Sequence, residues 1–112
     1  MNIDKYSFGS VVVDGKTYKN DILIVAQKIK EWWRERGHLL QNVDLKEVWS
    51  EKPDVLIVGK GASGVMDVAP EVKNNCAKLG IELISAQSPR AVKKFNKLSQ
   101  KRDVAFGIHL TC

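Results

Sequence analysis

The chain has 112 residues, of which 44% are hydrophobic and 28% are charged, and it carries a formal net charge of +5. This length predicts a single domain, residues 1–112, that can bury a core without metal ions or disulfides. No apolar run approaches the ~20 residues of a membrane-spanning helix, and the first residues lack the apolar stretch of a secretory signal. We therefore expect a cytoplasmic protein with no membrane span.

The N-terminal part has the composition of β-structure. Residues 6–13 predict a strand, Asp14-Gly15 predicts a two-residue hairpin turn, and residues 16–20 predict the partner strand. Both turn residues tolerate positive φ, which is what such a turn requires.

Residues 21–36 fit two structures. Their apolar residues recur at helical spacing and Gly37 is placed like a helix stop, whereas residues 22–25 form a short, β-branched run that suits a strand. Periodicity alone favours the helix.

The remainder alternates between helix and strand patterns. Asp44 can cap a short helix that ends before Pro53, and Glu47 stands where a capping box would place it. The elements predicted after it are a strand at 55–58, a helix at 70–79, a strand at 81–86, a helix at 89–101 and a strand at 103–110. This order predicts an α/β sheet with parallel strands.

The strand at 55–58 runs directly into a glycine-rich loop. Ligands of open α/β sheets bind beyond the carboxyl ends of the strands, so this loop predicts a site. Bare backbone N–H groups and a lysine would attract a small anionic ligand, while the alternative is a plain tight turn. The candidate residues are Gly59, Lys60, Gly61, Ser63 and Gly64.

Three familiar motifs fit this loop only in part. It matches Gly-x-Gly-x-x-Gly, but Ala86-Gln87 stand where a dinucleotide site needs an acidic residue. It lacks the Gly-Lys-Ser/Thr ending of a Walker loop, and Val65 replaces the last glycine of a nucleophile elbow at Ser63.

The histidines and cysteines do not predict a metal site. Zinc needs three or four converging ligands, and on a continuing strand His109 and Cys112 would lie on opposite faces. We therefore expect no metal, no cofactor, and free thiols at Cys76 and Cys112. His38, in a loop, is the one histidine that could serve a site.

Two further features each allow two interpretations. The segment Trp32-Trp33-Arg34 is either packed inside or presents an exposed tryptophan to a protein partner. The helix 89–101 has a basic face, which is either a solvated surface or a contact for nucleic acid or an acidic partner. The lack of interleaved aromatic residues argues against nucleic acid. The basic residues are Arg90, Lys93, Lys94, Lys97 and Lys101.

Short motifs at characteristic spacing run along nearly the whole chain. They are Val13-Asp14-Gly15-Lys16, Tyr18, Asp21, Trp32-Trp33-Arg34, Gly37-His38, Pro53, Val55 to Val58 with Gly59 and Gly61, Pro70-Glu71-Val72, Ala91-Val92, Phe95-Asn96, Leu98, Arg102-Asp103-Val104-Ala105 and His109-Leu110-Thr111-Cys112. In order and spacing they resemble a small single-domain family of largely unknown biochemical role. Its eukaryotic members include the mitochondrial complex I assembly factor 3 and the adipogenesis-associated protein, and the chain is most similar to the short archaeal and bacterial members.

The resemblance implies a compact three-layer α/β domain with a mixed, partly parallel β-sheet, flanking helices and an N-terminal β-hairpin region. It implies strands rather than a helix within residues 21–36. Relatives turn there with a Pro/Asp/Gly cluster, so at Ala26-Gln27-Lys28 we expect looser or longer pairing. The family brings no catalytic residues and suggests assembly or protein-interaction roles.

We therefore predict a non-catalytic domain of unknown biochemical function that binds a ligand or a protein partner at a pocket beside the Gly59–Gly64 loop. Trp33, Arg34, His38 and Asn96 would contribute nearby. One alternative is a small enzyme that acts on an anionic ligand at the loop, with His38 as general base. The other is nucleic-acid binding through the helix 89–101.

Overall fold

The computed structural model describes residues 1–112 as ten strands and three α-helices. The strands are β1 (Ile3–Ser7), β2 (Ser10–Val13), β3 (Lys16–Tyr18), β4 (Ile22–Val25), β5 (Lys28–Glu31), β6 (Leu39–Leu40), β7 (Val55–Lys60), β8 (Asp67–Val68), β9 (Glu82–Ala86) and β10 (Val104–His109). The helices are α1 (Lys46–Glu51), which follows a 3-10 turn at Asn42–Leu45, α2 (Pro70–Leu79) and α3 (Ser88–Leu98).

A five-stranded mixed sheet forms the centre of the molecule, with strand order β5-β4-β10-β7-β9. Strands β10, β7 and β9 are parallel to one another. Strand β4 pairs antiparallel with β10, and β5 pairs antiparallel with β4. Strands β1, β2 and β3 form a separate antiparallel sheet, and β6 pairs with β8 in a short parallel ladder.

Alternating side chains of the central sheet supply two cores, as strand geometry requires. Val55 and Ile57 of β7 face α3 and the three-stranded sheet, whereas Leu56 and Val58 face α1 and α2. In the first core the rings of Phe95 and Phe106 stack with centroids 5.2 Å apart. The resulting three layers confirm the predicted fold. None of the helices combines the length and apolarity that crossing a bilayer requires.

Most elements confirm their predictions, with differences at the N-terminal part. The region 21–36 forms β4 and β5, so the helix that periodicity favours is wrong and the strands implied by the resemblance are confirmed. Residues 6–13 do not form one strand, because the chain reverses at Phe8-Gly9 between β1 and β2. The turn at Asp14-Gly15 is confirmed, with φ of 47° and 83°.

Two helix ends also differ from prediction. Asp44 is not the cap of α1, because it lies in the preceding 3-10 turn and accepts the N–H of Gln41. Helix α3 ends at Leu98 rather than at residue 101. Helix α2 begins at Pro70 and is closed by Gly80 at φ 73°, as predicted.

Candidate functional site

Three backbone N–H groups of the glycine-rich loop, those of Gly61, Ala62 and Gly64, are bonded within the protein. Gly61 N–H donates to Ser88 Oγ at 2.9 Å, and Gly64 N–H donates to the Gly61 carbonyl at 3.2 Å. Ala62 N–H donates to the Thr111 carbonyl at 3.3 Å. None of the five surface depressions is lined by residues 59–64. These N–H groups therefore do not face an open cavity.

The loop instead packs against the C-terminal segment of the chain. A Cβ on Gly61 would lie 2.4 Å from the Thr111 carbonyl oxygen, and the residue adopts φ 102°. Only glycine allows this approach without displacing residues 111–112. The backbone oxygen of Cys112 also accepts the N–H of Val65 at 3.3 Å. The glycines therefore hold the end of the chain against the sheet.

A buried polar network lies beside this segment. Asp21 Oδ2 is 2.9 Å from Arg34 Nη1 and 2.7 Å from His109 Nδ1, and Asp21 Oδ1 accepts the N–H of Leu110 at 2.8 Å. Arg34 also lies with its guanidinium carbon 4.7 Å from the centre of the Trp32 ring. Because the Arg34 side chain is only 5% exposed, this predicted site residue serves the network rather than an open surface.

His38 lies next to that network. Its ring centroid is 5.9 Å from that of His109, and the ligand atoms of His38, His109 and Cys112 all lie within 4.8 Å of one another. The expectation that His109 and Cys112 point apart is wrong. Strand β10 ends at His109, so side-chain alternation does not continue to Cys112.

The tryptophan pair is split between the core and the solvent. Trp32 is 5% exposed and Trp33 is 80% exposed. Trp33 lines two adjoining depressions, one with Asn20 and Thr111 and the other with Val43. It is the most exposed of the large hydrophobic residues.

Asn96, the remaining predicted site residue, is used in a structural contact. Its Oδ1 accepts the N–H of Ile3 and its Nδ2 donates to the Ile3 carbonyl, both at 2.8 Å. Both polar atoms of the side chain are therefore engaged, and they tie α3 to β1 rather than facing a ligand.

The basic face of α3 lies apart from these groups. Arg90, Lys93, Lys94 and Lys97 line one shallow depression without an acidic or aromatic residue. Binding of nucleic acid through this face stays a prediction, and the absence of stacking residues still argues against it.

Sequence reasoning misses the residues that organise the network. In the sequence Asp21 stands out only as part of a motif, and neither His109 nor Ser88 is a candidate site residue. In the structure Ser88 is buried, accepts from Gly61 and donates from Oγ to the His109 carbonyl at 2.6 Å. The sequence does contain one indication of Asp21, because this residue immediately precedes the apolar run that forms the buried strand β4.

The chain is similar to known proteins over nearly its whole length. A model of the family described as "Protein of unknown function (DUF498/DUF598)" matches residues 3–109. The conserved hypothetical protein PH1505 from Pyrococcus horikoshii OT3 is 31% identical, with 100% of both chains covered and a TM-score of 0.92.

Two further structures share the fold at lower identity. The protein MT938 is 26% identical over 99% of this chain and 98% of that chain, with a TM-score of 0.83. A Mth938-like domain from Bordetella pertussis is 15% identical over 97% of this chain and 85% of that chain, with a TM-score of 0.75. These comparisons support the family and the fold, while the likeness to the assembly factor and the adipogenesis-associated protein stays a prediction.

Proposed function

The chain belongs to the DUF498/DUF598 family of proteins of unknown function, and we propose that it is a non-catalytic protein-binding domain whose contact surface is centred on Trp33. We call this surface the Trp33 surface. It consists of Trp33 and the two depressions that its ring lines.

The observation that carries the proposal is the contrast between Trp33 and its neighbours in sequence. Trp33 is exposed, whereas Trp32 donates from Nε1 to the Asp44 carbonyl at 2.9 Å and Arg34 is paired with Asp21. The backbone that carries Trp33 is therefore fixed on both sides. An aromatic side chain has only two side-chain torsions, so on a fixed backbone it loses little conformational entropy when a partner covers it.

The size of the indole makes its exposure costly. A tryptophan of this exposure can bury on the order of 200 Å² against a partner. That area corresponds to about 5 kcal/mol before the costs of association. Tryptophan is also enriched among the residues that dominate binding energy at protein interfaces.

The charges around Trp33 suit a protein partner. Both signs occur in the two depressions, as in the polar rim of a protein interface, whereas a nucleic-acid site would be basic throughout. The charged residues that line the two depressions, apart from Asp21 and the buried Asp44, are Lys19, Lys30, Glu31, Lys46 and Glu47. The assembly roles suggested by the family resemblance agree with this type of partner.

A small anionic ligand at residues 59–64 receives less support. The N–H groups of Gly61, Ala62 and Gly64 are occupied by acceptors within the protein, among them Ser88 Oγ and the Thr111 carbonyl. We therefore propose a protein partner that contacts Trp33 rather than the glycine loop.

Affinity capture from the native cells tests the proposal. We compare the unsubstituted chain with Trp33→Ser and with Phe8→Ser, and quantify each captured protein. Phe8 is the matched control, because it is an exposed aromatic residue that lines neither depression. We expect a partner that is captured by the unsubstituted chain and by Phe8→Ser but lost with Trp33→Ser.

The opposite pattern contradicts the proposal. Equal capture of every protein by Trp33→Ser and by the unsubstituted chain would mean that this surface binds none of them. Both substitutions are at exposed positions, so each variant should keep its stability within about 0.5 kcal/mol, and thermal unfolding checks this.

A further inference from the structure

We infer that His38, His109 and Cys112 form a binding site for Zn²⁺. This site goes beyond the Trp33 surface and does not depend on it. The ligand atoms of the three residues lie within 4.8 Å of one another. Two imidazoles and one thiolate are the nitrogen and sulfur ligands that Zn²⁺ takes, whereas Mg²⁺ and Ca²⁺ prefer oxygen.

The tautomer of His109 leaves a free lone pair on Nε2. Asp21 Oδ2 lies 2.7 Å from His109 Nδ1, and a carboxylate oxygen at that distance requires a proton on the nitrogen. Nδ1–H therefore donates to Asp21, and in the neutral imidazole Nε2 is the unprotonated nitrogen. Nε2 is buried without a hydrogen-bond partner, in a side chain that is 9% exposed.

A buried acceptor without a partner is unusual and costs free energy. A metal ion bound at Nε2 would remove that cost. A carboxylate that accepts from the other ring nitrogen is the common support of a metal-binding histidine, because it fixes the tautomer and the ring orientation. Asp21 occupies that position for His109.

The backbone on both sides of the cluster is fixed. The carbonyl of His38 accepts the N–H of Asp67 at 2.8 Å, and the carbonyl of the preceding Gly37 accepts from Arg34 at 3.1 Å. At the other side Val65 N–H donates to the backbone oxygen of Cys112. The glycine loop thus serves the site by holding the thiol ligand in place.

Only a small adjustment separates this arrangement from zinc coordination. Tetrahedral Zn²⁺, with bonds of about 2.0–2.3 Å, separates its ligand atoms by roughly 3.3–3.7 Å. The side chains of His38 and Cys112 are exposed, so they can rotate inwards by the required ~1 Å. Three protein ligands leave the fourth position to water or to a ligand from outside the domain.

Charge is compatible with a bound cation. Arg34 lies close to His109, but its charge is compensated by Asp21 at 2.9 Å. It also lies on the Nδ1 side of the ring, at 3.2 Å from that nitrogen. The Cys112 thiolate then supplies the negative charge at the metal.

Cys112, His109 and Asp21 could instead suggest a nucleophilic cysteine, with His109 as its base and Asp21 as the carboxylate that orients His109. Two observations speak against it. His109 Nε2 makes no hydrogen bond to the thiol. The backbone N–H groups at Gly61, Ala62 and Gly64, which could stabilise an oxyanion, are all bonded internally.

Metal titration of the tag-free, reduced protein tests the inference. Zn²⁺ is titrated against a chromophoric chelator, and Co²⁺ is used as a spectroscopic substitute. We expect one Zn²⁺ per chain and a thiolate-to-Co²⁺ charge-transfer band. His38→Ala and Cys112→Ser should each weaken Zn²⁺ binding at least about tenfold, and Cys112→Ser should abolish the charge-transfer band.

Asp67→Asn is the matched control, since Asp67 is an exposed carboxylate that lines the same depression as His38. It should bind Zn²⁺ like the unsubstituted chain. The inference is overturned if the unsubstituted chain binds no Zn²⁺, if Co²⁺ shows no thiolate band, or if His38→Ala and Cys112→Ser bind as tightly as the control. Circular dichroism confirms that each variant is folded, which these exposed positions allow.

Discussion

The indole of Trp32 lies directly against the backbone of Gly107 in β10. A Cβ on Gly107 would stand 2.5 Å from Cη2 of that ring, a distance at which the ring must move. Trp32 is held there by its hydrogen bond to the Asp44 carbonyl. This contact fixes the chain at Trp32 and so determines where the adjacent Trp33 emerges.

Replacing Gly107 by alanine should therefore destabilise the protein. We expect Gly107→Ala to cost about 1–3 kcal/mol, because the added methyl group displaces a packed indole. The cost corresponds to a fall in melting temperature of several degrees in a domain of this size. Gly37→Ala is the control, since a Cβ at Gly37 meets no atom within 4 Å. Equal melting temperatures for the two variants would contradict this packing.

The turn between β4 and β5 is strained by its sequence. The expectation of looser or longer pairing at Ala26-Gln27-Lys28 is wrong, because β4 and β5 pair in register from Ile22 with Glu31 to Val25 with Lys28. The two turn residues, Ala26 and Gln27, adopt φ of 52° and 65°. Such a turn favours Asn-Gly, which tolerates positive φ at both positions.

Replacing both residues, Ala26→Asn with Gln27→Gly, should stabilise the protein by about 1–2 kcal/mol, because it removes the left-handed strain. Urea unfolding measures the change. An unchanged or lowered free energy of unfolding would show that the turn is not strained in solution.

The fold could be predicted wherever pattern and turn chemistry agree. Asp14-Gly15, the apolar run of β7 and the Pro70 and Gly80 ends of α2 each point to one structure. Residues 22–25 do not, because all four are buried and the alternation that marks a strand is hidden. Ile29 and Trp32 then complete a helical spacing by coincidence.

The candidate site was less predictable because it depends on tertiary contacts. His38 and Cys112 meet only because the chain leaves β10 after His109 and is held by the glycine loop. Trp32 rather than Trp33 is buried because Gly107 has no side chain and so leaves room for the Trp32 ring. Composition does not reveal this contact.

The two cysteines should differ sharply in reactivity. Burial raises the pKa of the Cys76 thiol, so little of the reactive thiolate forms, whereas Cys112 is exposed. A disulfide reagent should modify one thiol per chain quickly and the second only on unfolding. Cys112→Ser should remove the fast phase of modification. A fast phase that persists in this variant would contradict its assignment to Cys112.

Tyr6 should make stability depend on alkaline pH. Burial, and then the negative charge of Asp21, raise the pKa of Tyr6 above its ordinary value of 10.0. The folded state then holds the phenol proton more tightly than the unfolded state. This contribution is fully present below pH 10.0 and is lost as the pH rises above it.

Tyr6→Phe removes both the titration and the hydrogen bond from Tyr6 Oη to the Leu110 carbonyl. It should cost about 1 kcal/mol at neutral pH. The difference from the unsubstituted chain should shrink as the pH rises above 10.0, as followed by urea unfolding. A difference in the free energy of unfolding that grows with pH would mean that folding lowers the pKa of Tyr6 instead of raising it.

Site-specific photo-crosslinking at position 43 measures the central claim most directly. Val43 is exposed and shares a depression with Trp33, so a photoreactive residue placed there reports what covers the Trp33 surface in native cells. We predict a discrete adduct with one partner protein that disappears when Trp33→Ser is added. The absence of any adduct, or an adduct of unchanged yield in the Trp33→Ser background, would contradict a protein interface centred on Trp33.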